Sequence, residues 1–251
     1  MLLSVTLAAC QSGVSTGSPS APAVSPNAAT SPSASALPLS LPRPTDIPTD
    51  GTCKDEHVCL GLLAPGVTYH TQAFEPAMSF TVPSSDWENL VDAGYVFQLQ
   101  WISEPGDAIV FFREPTALEP DGITSAKADA TVAGLTDWLS SHPLLEVTPA
   151  TSVTIGGLSG MSMDIRIAPG AVNRVPECPV QTCVVIFKGQ DSTAKPPWHW
   201  DWGSIDGETQ RLYLLTASDG VIAIFVDSFD GTTFDALVQA SDQILAGLTF
   251  G

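Results

Sequence analysis

Pro196-Pro197-Trp198-His199-Trp200-Asp201-Trp202-Gly203 holds three of the chain's six tryptophans. Trp alternating with His and Asp suits a strand, because successive side chains point to opposite faces. The indole face would then pack on something flat, such as a sugar ring, a peptide or the protein's own sheet. Aromatic faces beside carboxylates suit carbohydrate recognition, since rings stack on apolar sugar faces. Trp198, His199, Trp200, Asp201 and Trp202 are therefore the candidate ligand-binding residues. A core or rim strand with self-packed indoles is the competing reading.

Other chemistry is thin. Gly157-Leu158-Ser159-Gly160 starts like a nucleophile elbow, but Met161 stands where the last glycine is needed. A turn between two strands is expected there instead. The histidines are His57, His70, His142 and His199. His142 falls at a helix end before Pro143, where a positively biased ring would help the helix dipole. Asp227, Asp230 and Asp235 precede the last helix without matching a calcium loop, so helix capping is expected of them. No catalytic residue, metal or cofactor is assigned.

Cys53, Cys59, Cys178 and Cys183 are an even set, as two disulfides in an exported domain would require. Three pairings exist. The local ones, Cys53–Cys59 and Cys178–Cys183, are expected; the crossed ones would tie the domain's start to its middle. The spacings C-x5-C and C-x4-C fit poorly with zinc, although His57 sits inside the first loop.

The elements that position these residues read as short strands and two helices. Strands are expected at Tyr69–Phe74, Met78–Val82, Phe97–Ile102 and Ala108–Phe112, with Glu104-Pro105-Gly106-Asp107 as a turn. A helix is expected over 125–141, with Ser125 as N-cap and Val132, Leu135, Trp138 and Leu139 at helical spacing. Val153–Ile155 leads through Gly156-Gly157 into Met161–Ile167, where Met161, Met163, Ile165 and Ile167 share a face. Val184–Phe187 follows, then Arg211–Thr216 and Val221–Val226 around Ser218-Asp219-Gly220. A helix over 233–246, a Gly247 C-cap and a last strand at Leu248–Phe250 end the chain. The expected fold class is α+β, an antiparallel β-sheet packed with two main α-helices. The helices are expected to cover a single sheet face.

Composition sets the organisation. The chain has 251 residues and a net charge of −18, with 14% charged residues. Such a surface repels phosphate backbones, so no nucleic-acid partner is expected. Residues 11–50 hold nine Ser, eight Pro, six Ala and four Thr. That composition buries too little to offset its ordering entropy, and a disordered linker is expected. It would span about 35 Å as a coil and about 120 Å when extended. Residues 51–251 are expected to form one globular domain.

Leu7-Ala8-Ala9-Cys10, closing the run MLLSVTLAAC, resembles a bacterial lipobox. The resemblance implies that residues 1–10 are a truncated lipoprotein signal, that Cys10 is acylated, and that the protein sits outside the cytoplasm on the outer face of the cell membrane. No Lys or Arg precedes the apolar run, and the run is short for a signal core. Both features point to a start lying upstream. Acyl chains contribute about 0.8 kcal/mol per buried methylene, so several can hold a domain on a bilayer.

A second resemblance rests on Tyr69-His70-Thr71 through Phe80-Thr81-Val82-Pro83 with Trp87, on Trp138-Leu139-Ser140-Ser141-His142-Pro143, and on Val153-Thr154-Ile155-Gly156-Gly157-Leu158-Ser159-Gly160 with the closing hairpin and helix. Over about residues 66–251 the chain resembles the Mog1/PsbP-like α/β/α sandwich group and uncharacterised actinobacterial-type envelope lipoproteins. These motifs are structural, so the resemblance implies a fold and no reaction. The expected function is a membrane-tethered, non-catalytic binding or accessory module of the cell envelope, with a glycan or an envelope protein as ligand. The alternative is an extracytoplasmic hydrolase using carboxylates near the Trp-rich segment.

Overall fold

The computed structural model describes residues 60–175, 181–191 and 198–251. The expected signal, linker and Cys10, and also Cys53, His57, Cys59 and Cys178, lie outside the described residues. The strands are β1 (Gly61–Leu62), β2 (Thr68–His70), β3 (Met78–Thr81), β4 (Trp87–Ala93), β5 (Val96–Trp101), β6 (Ala108–Arg113), β7 (Thr116–Ala117), β8 (Leu145–Val147), β9 (Thr151–Ile155), β10 (Leu158–Ile167), β11 (Cys183–Asp191), β12 (Trp198–Ile205), β13 (Thr209–Ala217), β14 (Gly220–Ser228) and β15 (Thr249–Phe250). The helices are α1 (Val132–Ser140) and α2 (Phe234–Ala246).

The expected α+β class is corrected. Of the described residues 47% are strand and 12% helix, and the architecture is mainly β and sandwich-like. A nine-stranded antiparallel sheet runs β1-β4-β5-β6-β14-β13-β10-β8, with β9 also paired to β10. Two three-stranded sheets, β12-β11-β7 and β15-β3-β2, provide the rest of the covering.

The covering lies on both faces, not one. Along β14, Ile222, Ile224 and Val226 point into a core built with Phe74, Phe80, Phe97, Leu237 and Ile244. Val221, Ala223 and Phe225 point the other way, into a core built with Leu135, Leu139, Val184, Ile186 and Phe187. So α2 and the β2-β3-β15 sheet close one face, while α1 and the β11-β12 sheet close the other. Val221–Ser228 is buried throughout, the pattern of a strand covered on both sides. Phe225, fully buried, stacks edge-on against Phe112 and Phe187 with ring centroids 6.0 and 5.9 Å away. Burying a side chain of this size contributes about 2 to 3 kcal/mol.

Local expectations meet the structure unevenly. Met161, Met163, Ile165 and Ile167 do share one core, and Ser218-Asp219 does link β13 to β14. The strand expected at Tyr69–Phe74 stops at His70. The helix expected from Ser125 starts at Val132, where the Thr131 side chain caps Gly134 N at 3.1 Å. Residues before it are held as extended chain: Ser125 bridges Leu118, and Ala126 N donates to Ala117 O at 2.8 Å. Tertiary pairing overrides the helical spacing there.

Candidate functional site

The Trp-rich segment is a strand. β12 pairs antiparallel with β11, matching Trp200 to Gly189, Asp201 to Lys188 and Trp202 to Phe187. The side chains of Trp198, His199 and Trp200 lie outside the described residues. Asp201 is exposed. Trp202 is half-buried and turns inward, its ring 5.8 Å from both Phe112 and Phe225. Its indole N–H is buried without a partner. Trp202 thus behaves as part of the second core, as the self-packed reading expects.

Below Trp202 lies a pocket of about 240 Å³ lined also by Asp201, Val185, Ile205, Glu208 and Asp227. Glu208 ends the turn from β12 and Asp227 sits near the end of β14. Gln210, the register partner of Asp227, shares a face with Leu212 and Leu214. All three polar residues are buried. Glu208 Oε2 accepts from Ile205 N at 2.7 Å and from Gln210 Nε2 at 3.4 Å. Gln210 Nε2 also donates to Gly203 O at 2.8 Å. Burial pushes the Glu208 carboxyl up to about 7. Burial, and then the charge of Glu208, hold Asp227 well above the usual carboxylate range. Asp107, a third buried carboxylate, accepts from Phe229 N at 2.9 Å and from the Thr233 hydroxyl.

A larger cleft of about 550 Å³ opens between the β9–β10 hairpin, β13 and α2. Its walls carry the hydroxyl side chains Thr148, Thr151 and Ser162 together with Asp164, Arg211, Tyr213 and Asp242, while Ser152 and Thr154 turn to the opposite face, that of Met161. Arg211 and Tyr213 alternate with Leu212 and Leu214 on β13, so they face the cleft's side of the sheet. Arg211 grips Asp164 with two bonds of 2.7 and 3.0 Å. That hydrogen bonding raises the guanidinium pKa further. Arg211 also lies 5.6 Å over the Phe234 ring. Tyr213 donates to Asp242 Oδ1 at 3.5 Å. Burial first, then the Asp242 charge, pushes its hydroxyl up to about 12. The cleft therefore offers hydroxyls, one neutralised cation and the carboxylate of Asp242.

The remaining sequence candidates separate. Cys183 is disulfide-bonded. Gly156 and Gly157, at φ 58° and 84°, form the β9–β10 turn, and Ser159 lies within the hairpin. His142 is buried against Trp138, with ring centroids 5.3 Å apart, and accepts from Leu144 N at 3.3 Å. Burial lowers its pKa, so the ring is neutral and the charge–dipole role expected of it is corrected. Asp230 accepts from Thr232 N at 2.9 Å, and Asp235 stands in the first turn of α2. Among the described residues no three His, Cys, Asp or Glu side chains converge as metal ligands, and no helix is long and apolar enough to cross a membrane.

Sequence reasoning passed over Glu208, Gln210 and the Arg211–Tyr213 face. A signal existed: Gln210 is a polar residue in the inward register of Leu212 and Leu214. Arg211 and Tyr213 alternate with that register.

No protein-family model matches the chain, and no curated protein matches it. A crystal structure from Bacteroides thetaiotaomicron VPI-5482 is similar over 69% of this chain, at 12% identity and a TM-score of 0.30. This chain spans 45% of that protein's length. A likeness of that size transfers neither fold nor function.

Proposed function

We propose that the chain is a membrane-tethered extracytoplasmic lipoprotein whose folded part is a non-catalytic binding module, with its ligand seat in the cleft between the β9–β10 hairpin, β13 and α2. The observation that carries the binding role is that cleft. Its size of about 550 Å³ falls within the usual range for small-ligand sites. Its hydroxyl-rich wall and its neutralised arginine suit an uncharged, polyhydroxylated ligand such as a glycan. The tether rests on the lipobox-like Leu7-Ala8-Ala9-Cys10. Against the hydrolase alternative stands the depth of Asp227. It is 4% exposed, and its Oδ1 is sealed from solvent.

The test is a glycan and cell-wall-fragment binding screen on the full chain. Thr151→Trp, at an exposed position on the cleft's face of β9, fills the cleft and is expected to abolish binding. Trp198→Ala and Trp200→Ala are expected to keep it. Equal binding by wild type and Thr151→Trp overturns the cleft assignment; loss in Trp200→Ala moves the seat to the tryptophan strand. Mass spectrometry of membrane-extracted protein is expected to find acylation at Cys10, and an unmodified Cys10 overturns the tether.

A further inference from the structure

The turn between β12 and β13 is closed by side chains that carry or meet buried carboxyls. Glu208 Oε2 takes the Ile205 amide, and Gln210 Nε2 takes the Gly203 carbonyl. The last residues of β12 are thus fastened to β13 by Glu208 and Gln210. Two buried acceptors on this face have no partner: Asp227 Oδ1 and Gln210 Oε1. They belong to directly opposed residues of an antiparallel pair, whose side chains on one face meet at about 5 Å between Cβ atoms. The donation to Gly203 O fixes which end of the Gln210 amide is which. An unpaired buried acceptor costs about 1 to 3 kcal/mol. Gln210 also hydrogen-bonds Asp227, which by itself favours the ionised form, but burial and the Glu208 charge outweigh it, and a proton on Asp227 supplies a donor that the unpaired oxygens lack.

The surroundings favour that proton. The acidic groups facing the pair are Asp107 ahead of β6 and Asp201 at the pocket rim, where Lys188 on β11 lies opposite Asp201 in register. The pocket's own lining contains no Lys, Arg or His. The two carboxyls differ in their freedom. Asp227 sits inside the β13–β14 ladder, 4% exposed, where the backbone holds it in place. Glu208 follows exposed Asp206 and Gly207, with Gly207 at φ 102°, and a small turn movement takes it to water.

We propose that Glu208, Gln210 and Asp227 form a proton-operated latch on the carboxyl end of β12. While the two carboxyls hold protons, Glu208 stays inside and retains the Ile205 amide. When they ionise, Glu208 moves out to solvent, the Ile205 and Gly203 bonds are released, and the carboxyl end of the tryptophan-bearing strand loses its side-chain ties to β13.

The experiment is hydrogen exchange on the full chain, with rates corrected for intrinsic base catalysis, following the Ile205 amide. Protection is expected to fall at least about tenfold per pH unit above neutrality, as the release of one or both protons requires. Glu208→Gln is expected to stay protected at pH 6 and pH 8 alike. Asp227→Asn keeps the neutral shape and removes the repulsion, so its transition is expected to move to lower pH. A wild-type protection factor that does not change between pH 6 and pH 8 overturns the latch. So does an Asp227→Asn midpoint that does not move. The second variant serves if Glu208→Gln fails to fold.

Discussion

Asp92→Ala tests how the loop after β2 is held. Asp92 is 5% exposed, and its carboxylate accepts three backbone amides in succession: Gln72 N at 2.8 Å, Ala73 N at 3.2 Å and Phe74 N at 3.0 Å. Those bonds seat Phe74 between Phe97 and Phe111, with ring centroids 6.4 and 6.3 Å away. Alanine leaves the fully buried Phe74 amide without a partner, at about 1 to 3 kcal/mol, while the two partly buried amides recover some hydration. The total is about 3 kcal/mol. Asparagine keeps one acceptor oxygen and is expected to lose about half as much. Urea unfolding at 25 °C reads both, as lower midpoints at an unchanged slope. A loss below about 1 kcal/mol for Asp92→Ala would refute the account, because it would mean the loop holds Phe74 in place without the carboxylate.

Stability is expected to fall as pH rises from about 4.5 to about 7. The folded state raises the Glu208 pKa from 4.5 to about 7, so within that window it binds a proton the unfolded chain has released. The fall amounts to about 3 kcal/mol, and Asp227 adds to it in the same direction. Urea midpoints at pH 5 and pH 8 check this, and Glu208→Gln is expected to lose most of the difference; an unchanged difference in the variant refutes it. Gly203→Ala is expected to cost more than 1 kcal/mol, because a Cβ there would overlap the Val184 carbonyl oxygen across the β11–β12 ladder; a wild-type thermal midpoint would contradict that. Phe225→Ala empties a site shared with Phe112, Phe187 and Trp202, and should lower stability by about 3 to 5 kcal/mol, read in the same melts.

What the sequence made legible follows from periodicity. Alternation in Met161–Ile167 and the Ser218-Asp219-Gly220 turn marked β10 and the β13–β14 hairpin. The apolar face of Phe234, Leu237, Val238, Ile244 and Leu245 marked α2. β4 escaped because Glu88, Asn89 and Asp92 interrupt its apolar residues, and because the ladder shifts between Asn89 and Val91. Asn89 and Asp92 are nevertheless buried, which alternation alone does not foresee. The double covering had a sign in the unbroken apolar run Val221–Val226, whose length suits a strand buried on both faces. The cleft was harder to see. Its walls come from β9, β10, β13 and α2, distant in sequence, and hydroxyl residues on an exposed strand look like ordinary surface.

β1 joins the large sheet through only two residue pairs, Gly61 with Asn89 and Leu62 with Glu88, followed by Leu63 N donating to Trp87 O at 2.9 Å. Tension reaching Gly61 from the preceding segment would enter the large sheet here, at its rim and next to Leu63 of the first core. A pull between that segment and a ligand held in the cleft would strip these few bonds in sequence before loading β4. The domain would gain several ångströms of extension, at the cost of drawing Leu63 out of the first core, while the second core and the cleft stayed intact. Under the proposed tether, that edge would give way first, as a mechanical fuse does.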